Sequence, residues 1–429
     1  MFRNLNLRSD FFRSVMVLTS GTVIAQVLSY AVTPLITRLF TPEDFGEIGV
    51  FMRIVSFLAA IGTARYELTL PLPKYQGHAF LLFRLSVRIA LWMVLLIIGG
   101  GLLYWLFTGL KNYTLFYFIM IAGATFFAVF KNIGTNWAIR TKAFKRISSS
   151  NILTAVSTNG LKLIAGLYGF GVPGLIIATV IGSLVGAVVY LTDYLKNKKK
   201  KIFERSDKRI YALSRQYREF PRVNLPHTLL DGARELLIAF FVVEIFSRSF
   251  FGSYDLSFRM LKLPLVLVGV SLGQVFYNKC SVLYANREAL FPFLKRTTLL
   301  LTVISVIPFT IIFLFGEPIF IWVFGEKWGL AGKISEILSP WLMVNFIASP
   351  ISTLPMIIGR QVLFFWLGLI STAIQLIGFG FVPLVIFDGS IDELILIRWI
   401  SYTMTAYLVI VTVIKLKITV DSDQKRVVT

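Results

Sequence analysis

Cysteine is almost missing from this chain. Cys280 stands alone among 429 residues, which excludes an intrachain disulfide and any cysteine-based metal site. The only histidines are His78 and His227, too few for a His-rich metal centre. Charge is scarce as well, at 15% of residues against the roughly 25% of soluble domains. Walker A, HExxH and CxxC patterns are all absent, so ATP hydrolysis within this chain is excluded. No catalytic residue, cofactor or metal is expected. What replaces these features is apolar mass: 56% hydrophobic residues, 39 phenylalanines and a mean hydropathy of +0.76. One water-soluble core stops growing near ~250–300 residues, so the remaining solvent is lipid.

Apolar runs, cut at charges and Gly/Pro turns, place twelve candidate spans near 13–38, 45–65, 82–107, 113–136, 149–169, 173–195, 226–249, 252–278, 297–323, 334–358, 361–387 and 391–415. Each is long enough for the ~20 residues that a crossing helix needs. The run from about Ser14 to Phe40 follows a basic start and lacks a small-residue cleavage site, so it reads as a first spanning helix. The expected fold class is all-α: a polytopic membrane protein of twelve transmembrane helices.

Acids are the minority charge, 22 against 43 Lys plus Arg, for a net +21. In a soluble protein this would point to nucleic acid; in a membrane protein bases collect in cytoplasmic loops, and no nucleic-acid partner is expected. Bases crowd every second loop: Arg3, Arg8 and Arg13; Arg65, Lys74, Arg84 and Arg88; Lys131, Arg140, Lys142, Lys145 and Arg146; Lys196 to Arg222; Lys279, Arg287, Lys295 and Arg296; Lys415 onward. The intervening loops are poor in bases, and the last is acidic, with Asp388, Asp392 and Glu393. Both termini are therefore expected in the cytoplasm. No large loop lies on the exported side to house a transferase.

The longest polar stretch, about Lys196 to Arg222, starts as a lysine run and continues with Ile210, Leu213, Tyr217 and Phe220 at helical spacing among arginines. That pattern predicts an interfacial amphipathic helix, either a basic linker on anionic lipid or a hinge that recruits an acidic lipid substrate. It divides the chain into 1–195, a linker at 196–225 and 226–429. The halves share an echo: Phe45-Gly46 with Arg53, and Phe251-Gly252 with Arg259, each Arg seven residues after its Gly. The expected architecture is two parallel six-helix lobes.

Ionisable residues fall inside the expected spans: Arg53, Lys162, Arg234, Arg259, Lys262 and Arg398, against Asp231, Glu235, Glu244 and Asp255. Six bases facing lipid would cost roughly 15–20 kcal/mol at the ~2.5–3.5 kcal/mol each of insertion scales. That exceeds a typical folding stability of about 5–15 kcal/mol. They must face the bundle interior or water, or snorkel, and a wet positive cavity suits an anionic substrate. Arg53, Lys162, Arg259, Lys262 and Arg398 are the candidate substrate-binding residues. Asp255 precedes Arg259 by four, the favourable helical pairing, so a plain salt bridge is the competing reading there. Arg398 could equally snorkel outward. Asp231 and Glu235 share a helical face with Arg234 between them, which fits either a gate network or a proton or sodium coupling site; Asp255 is grouped with them.

Gly21-Thr-Val-Ile-Ala-Gln26, Pro34, Arg38 and Thr41-Pro-Glu-Asp-Phe-Gly46 resemble the opening of the Wzx-type polysaccharide flippases. So do Ala64-Arg-Tyr-Glu67 with Leu70-Pro-Leu-Pro73, and Gly252-Ser-Tyr-Asp-Leu-Ser-Phe-Arg259 with Pro264 and Gly273-Gln-Val-Phe276. The resemblance covers nearly the whole length. It implies a V-shaped pair of lobes, alternating access and residence in the bacterial inner membrane. It also implies export of a polyprenyl-pyrophosphate-linked oligosaccharide, such as an O-antigen or capsule unit, with membrane lipid and polysaccharide-assembly proteins as partners. The same superfamily holds cation-coupled drug antiporters, an alternative that would want acids in the cavity; span one has none between Arg13 and Arg38. A membrane transferase acting on the same lipid is the second alternative.

Overall fold

A computed structural model of the chain describes residues 3–108, 112–199, 207–387, 389 and 391–428. The expected Lys200, Lys201 and Asp388 lie outside the described residues. Helices account for all the regular structure, and no strand occurs among the described residues. Each expected span falls in a helix or a broken helix. Seven helices are long and apolar enough to cross a membrane on those criteria alone, and a bent pair, Glu326–Ala348 with Pro350–Ile357, makes an eighth. The remaining expected spans are shorter, or carry the charges discussed above.

The chain forms two compact units, 1–40 with 47–236, and 41–46 with 237–429. Unit 1 holds α1 (Arg3–Leu39), most of α2 (Pro42–Ile61), α3 (Gln76–Thr108), α4 (Asn112–Arg140), α5 (Phe144–Leu167), α6 (Gly171–Lys199), α7 (Asp207–Gln216) and the first half of α8 (Leu225–Ile245). Its core gathers Phe80, Leu82, Phe83, Ile133, Trp137 and Tyr190. Small and hydroxylated residues set the helix spacing, as expected where lipid supplies no hydrophobic drive between helices. Gly182 and Gly186 of α6 lie against the hydroxyls of Thr158 and Thr154 on α5, and Ser150 Oγ donates to the Gly186 carbonyl at 2.8 Å. Side-chain hydrogen bonds tie α5 to α1: Asn151 Nδ2 donates to Thr22 Oγ1 at 3.3 Å and Asn159 Nδ2 to Ser29 Oγ at 3.0 Å.

The amphipathic stretch corrects an expectation. Its apolar side does not rest on lipid: Ile210 and Leu213 of α7 are buried in the unit 1 core. The Arg88–Asp207 ion pair at 2.7 Å ties α7 to α3, and Tyr66 Oη donates to the Ser214 carbonyl at 3.1 Å. Burial pushes the Tyr66 phenol above its ordinary value of 10.0, partly offset by the Ser214 side chain. The preceding turn is tight, with Ala64 and Arg65 at φ 50° and 65°. The second part of the expected linker is thus folded onto unit 1. An α-helix also gives way to a π-helix at Phe220–Asn224.

Unit 2 holds the start of α2, the rest of α8, α9 (Arg248–Leu261), α10 (Leu263–Ala285), α11 (Phe291–Phe324), α12 (Gly329–Ala348), the one-turn α13 (Leu354–Ile357), α14 (Gln361–Leu376) with a π-helical continuation Ile377–Ile386, and α15 (Glu393–Val428). The span expected as continuous over 252–278 is broken at Lys262, which ends α9 and starts α10, because Pro264 cannot donate into the preceding turn. Ser257 Oγ, Ser339 Oγ and Ser401 Oγ donate to the carbonyls of Ala331, Phe309 and Ile337 at 2.5, 2.8 and 2.6 Å. At the far end, Asp423 Oδ2 accepts the Leu290 and Phe291 amides at 2.8 and 2.9 Å, so α15 caps the start of α11.

Candidate translocation site

The echo around the two Phe-Gly pairs is a structural object. Thr41 and Asp44 cap α2 reciprocally: the Thr41 amide donates to Asp44 Oδ2 at 2.8 Å and the Asp44 amide to Thr41 Oγ1 at 3.2 Å, with Pro42 at the first helical position. Ser247 caps α9 in the same way, accepting the Phe250 amide at 3.0 Å. Cap, glycine and arginine thus recur at the same offset of 206 residues: Thr41, Gly46 and Arg53; Ser247, Gly252 and Arg259. The two helix starts cross at the glycines. A Cβ on Gly46 would sit 1.9 Å from the Arg248 carbonyl oxygen, and one on Gly252 would sit 1.9 Å from that of Pro42. Pro42 and Arg248 each lie four residues before their glycine, so the contact is reciprocal.

From that crossing α9 carries a row of rings and cations. Tyr254 stacks on Phe258 with centroids 5.6 Å apart, Phe258 meets Trp341 at 5.6 Å, and Tyr254 meets Phe379 edge-on at 5.5 Å. Lys262 Nζ lies 4.1 Å from the Phe258 centroid, and Arg259 Cζ lies 6.0 Å from the Phe45 centroid. Phe45 in turn abuts the fully buried Trp328 at 4.9 Å. Ring faces attract cations by their quadrupole. Asp255, one turn before Arg259, is half-buried. Arg398 is exposed on α15.

In unit 1, Arg53 and Lys162 are half-buried on α2 and α5. The sequence reading missed a third cation. The charge pattern groups Lys131 with the loop after span four, but α4 runs on to Arg140, nine residues further, about 13 Å of helix at 1.5 Å per residue. Its Nζ donates to Thr154 Oγ1 at 3.2 Å. The signal was available, since 131 falls inside the apolar stretch 113–136.

Asp231, Arg234 and Glu235 come together on α8 with His227. Arg234 lies 3.9 Å from Asp231 and 3.3 Å from Glu235, and His227 Nδ1 lies 3.5 Å from Asp231 Oδ2. Asp231 is 56% exposed, and pairs that exposed are worth about 0–1 kcal/mol each. Gly232 packs beneath them on the Phe57 ring of α2.

Known proteins share this fold. Over 374 residues the chain is 21% identical to the succinoglycan biosynthesis transport protein ExoT of Rhizobium meliloti (strain 1021), covering 85% of this chain and 72% of that one. Its fold is similar to a multidrug resistance MATE family transporter of the MOP superfamily in an inward-facing conformation, with TM-score 0.70, 16% identity, and 96% and 99% of the two chains covered. A MOP superfamily transporter from Pyrococcus furiosus Vc1 (DSM3638) gives TM-score 0.59 at 14% identity, over 96% of each chain. The family described as "Polysaccharide biosynthesis protein" matches residues 35–331, most of the length, and the chain belongs to that family as a multi-pass membrane protein.

Proposed function

We propose that this protein is an alternating-access exporter of a polyprenyl-pyrophosphate-linked oligosaccharide across the bacterial inner membrane, with both termini in the cytoplasm. The observation that carries the reading is the set of cations along the apolar helices, the half-buried Arg53, Lys131 and Lys162, the exposed Arg259 and, at the break between α9 and α10, Lys262, in a polysaccharide-biosynthesis family. Pyrophosphate and acidic sugars pair with such groups through charge-assisted hydrogen bonds. The relative from Rhizobium meliloti, a succinoglycan transport protein, supports the substrate class.

Arg53 and Arg259, equivalent in the two halves, act on the same cargo in this proposal. The test is accumulation of lipid-linked oligosaccharide on the cytoplasmic leaflet. Arg53→Ala with Arg259→Ala should accumulate it at normal expression; unimpaired export by the double variant rejects the assignment. Arg→Lys keeps charge but loses the bidentate fork, so it separates the two contributions. The Asp231, Arg234 and Glu235 group is proposed as the coupling or gate element. Asp231→Asn and Glu235→Gln should alter the response of export to ionophores, and an unchanged response makes the group structural. Reporter fusions at Lys199 and after Thr429 should read cytoplasm, and one at Asp388 the exported side.

A further inference from the structure

Unit 2 has an apolar groove of about 870 Å³ between the π-helical continuation of α14 and α15, lined by Ile374, Gly378, Val382, Ile395, Trp399 and Ile400 among others. Small-molecule sites span ~300–1,000 Å³. Both walls belong to helices long and apolar enough to cross a membrane, so an occupant must be hydrocarbon. The groove runs from Asp392 to Thr403, about 16 Å of α15 at 1.5 Å per residue, or roughly half of a ~30 Å hydrocarbon layer. Unit 1 has a smaller counterpart of about 270 Å³ at the same place in its hairpin, between α5 and α6, lined by Ile164, Pro173 and Ile177.

Two observations select the occupant. The mouth is acidic: Asp392 lines it and Glu393 follows, with the Asp392 carboxylate already accepting the Leu394 and Ile395 amides at 3.0 Å each. A phospholipid with an acyl chain in the groove would set its phosphate against these acids, whatever its outer headgroup. A chain whose charged end is held elsewhere escapes that repulsion. Such a place adjoins the groove wall. Gly378 faces Ile400 of α15, while its neighbour Phe379 meets Tyr254, which stacks on Phe258 beneath Lys262. The wall itself is a ten-residue π-helix, a rare geometry that recurs at functional sites.

We infer that the groove between the π-helical segment and α15 holds the polyprenyl tail of the cargo while α9 engages its pyrophosphate. The inference rests on the proposed function. On the proposed orientation the groove opens in the exported half of the membrane, so it receives the tail of the flipped lipid.

The experiment uses the full chain in nanodiscs with geranylgeranyl pyrophosphate carrying a terminal diazirine. Photolabelling should fall on residues 374–403 and drop at least fivefold under excess unlabelled polyprenyl pyrophosphate. Phosphatidylethanolamine with a diazirine acyl chain should not label there competitively. Ile395→Trp with Thr403→Trp fills the groove from exposed positions and should cut labelling at least fivefold. Trp399→Ala, at a residue 70% exposed, removes part of one wall without folding risk and should also lower it. Labelling elsewhere, equal occupation by phosphatidylethanolamine, or full labelling of the filled groove overturns the inference. Absence of any competable labelling on the whole chain would instead reject the proposed substrate itself.

Discussion

The glycine crossing at the starts of α2 and α9 makes a quantitative prediction. A methyl at Gly46 would meet the Arg248 carbonyl at 1.9 Å, where ordinary contacts begin at 3.4 Å, so the helices must part locally by about 1.5 Å, because backbone cannot swing aside. Overpacking of this kind costs about 1–3 kcal/mol, and parting the helices forfeits Cα–H···O contacts of about 0.5–1 kcal/mol each. Alanine recovers about 1 kcal/mol of helix propensity. Gly46→Ala and Gly252→Ala should therefore each destabilise by about 1–2 kcal/mol. Reciprocity adds the sharper expectation: helices parted by the first methyl have already made room for the second. The double variant should cost no more than either single one, since the second alanine recovers helix propensity without new overpacking, a coupling of at least about 1–2 kcal/mol. Equilibrium unfolding in mixed micelles, read by thiol labelling of Cys280, measures this, since the lone cysteine is fully buried when folded. Gly99→Ala and Gly368→Ala, with nothing within 4 Å, are the controls and should be neutral or stabilising. Additivity of the Gly46 and Gly252 effects within ~0.5 kcal/mol would refute the reciprocal crossing.

Three further outcomes are expected. Ile210→Asp with Leu213→Asp removes two buried side chains worth about 1.5–3 kcal/mol each and should release α7, seen as faster tryptic cleavage at Lys208, Arg209 and Arg215. Asp423→Ala should cost about 1 kcal/mol as a lost helix cap, and Asp423→Asn, which keeps an acceptor oxygen, clearly less in the same unfolding assay. Lys131→Met removes a desolvated charge, so the unfolding midpoint should hold or rise while export falls; full export would show that the cargo does not use this lysine.

Much of this molecule is legible in its sequence because lipid imposes a length rule on apolar runs. The helical class follows from it. The Phe-Gly echo is legible too, since capping and close approach each demand particular residues; Thr41 and Ser247 extend it once the caps are seen. Other features depend on tertiary partners. The face of α7 carrying Ile210 and Leu213 has the same pattern whether lipid or protein covers it, and only the packing against α3 decides. Lys131 reads as a loop base until α4 is found to continue to Arg140. The ring-held position of Lys262 depends on Phe258 and on the break that Pro264 imposes. The π-helical wall at Ile377–Ile386 leaves no periodicity in an unbroken apolar run.

That α2 begins in one unit and continues in the other has a consequence for biogenesis. Gly46 leaves the ribosome 206 residues before Gly252, which at ~5–20 residues per second is a wait of about 10–40 s. Through that interval the first unit is in the membrane while the capped start of its second helix lacks the surface it will cross. A nascent chain arrested before Ser247 is therefore an incomplete domain, not a finished half awaiting its twin. Quality control that senses unpaired helix ends would find its target there, and the last step of assembly is the docking of a helix terminus inserted long before.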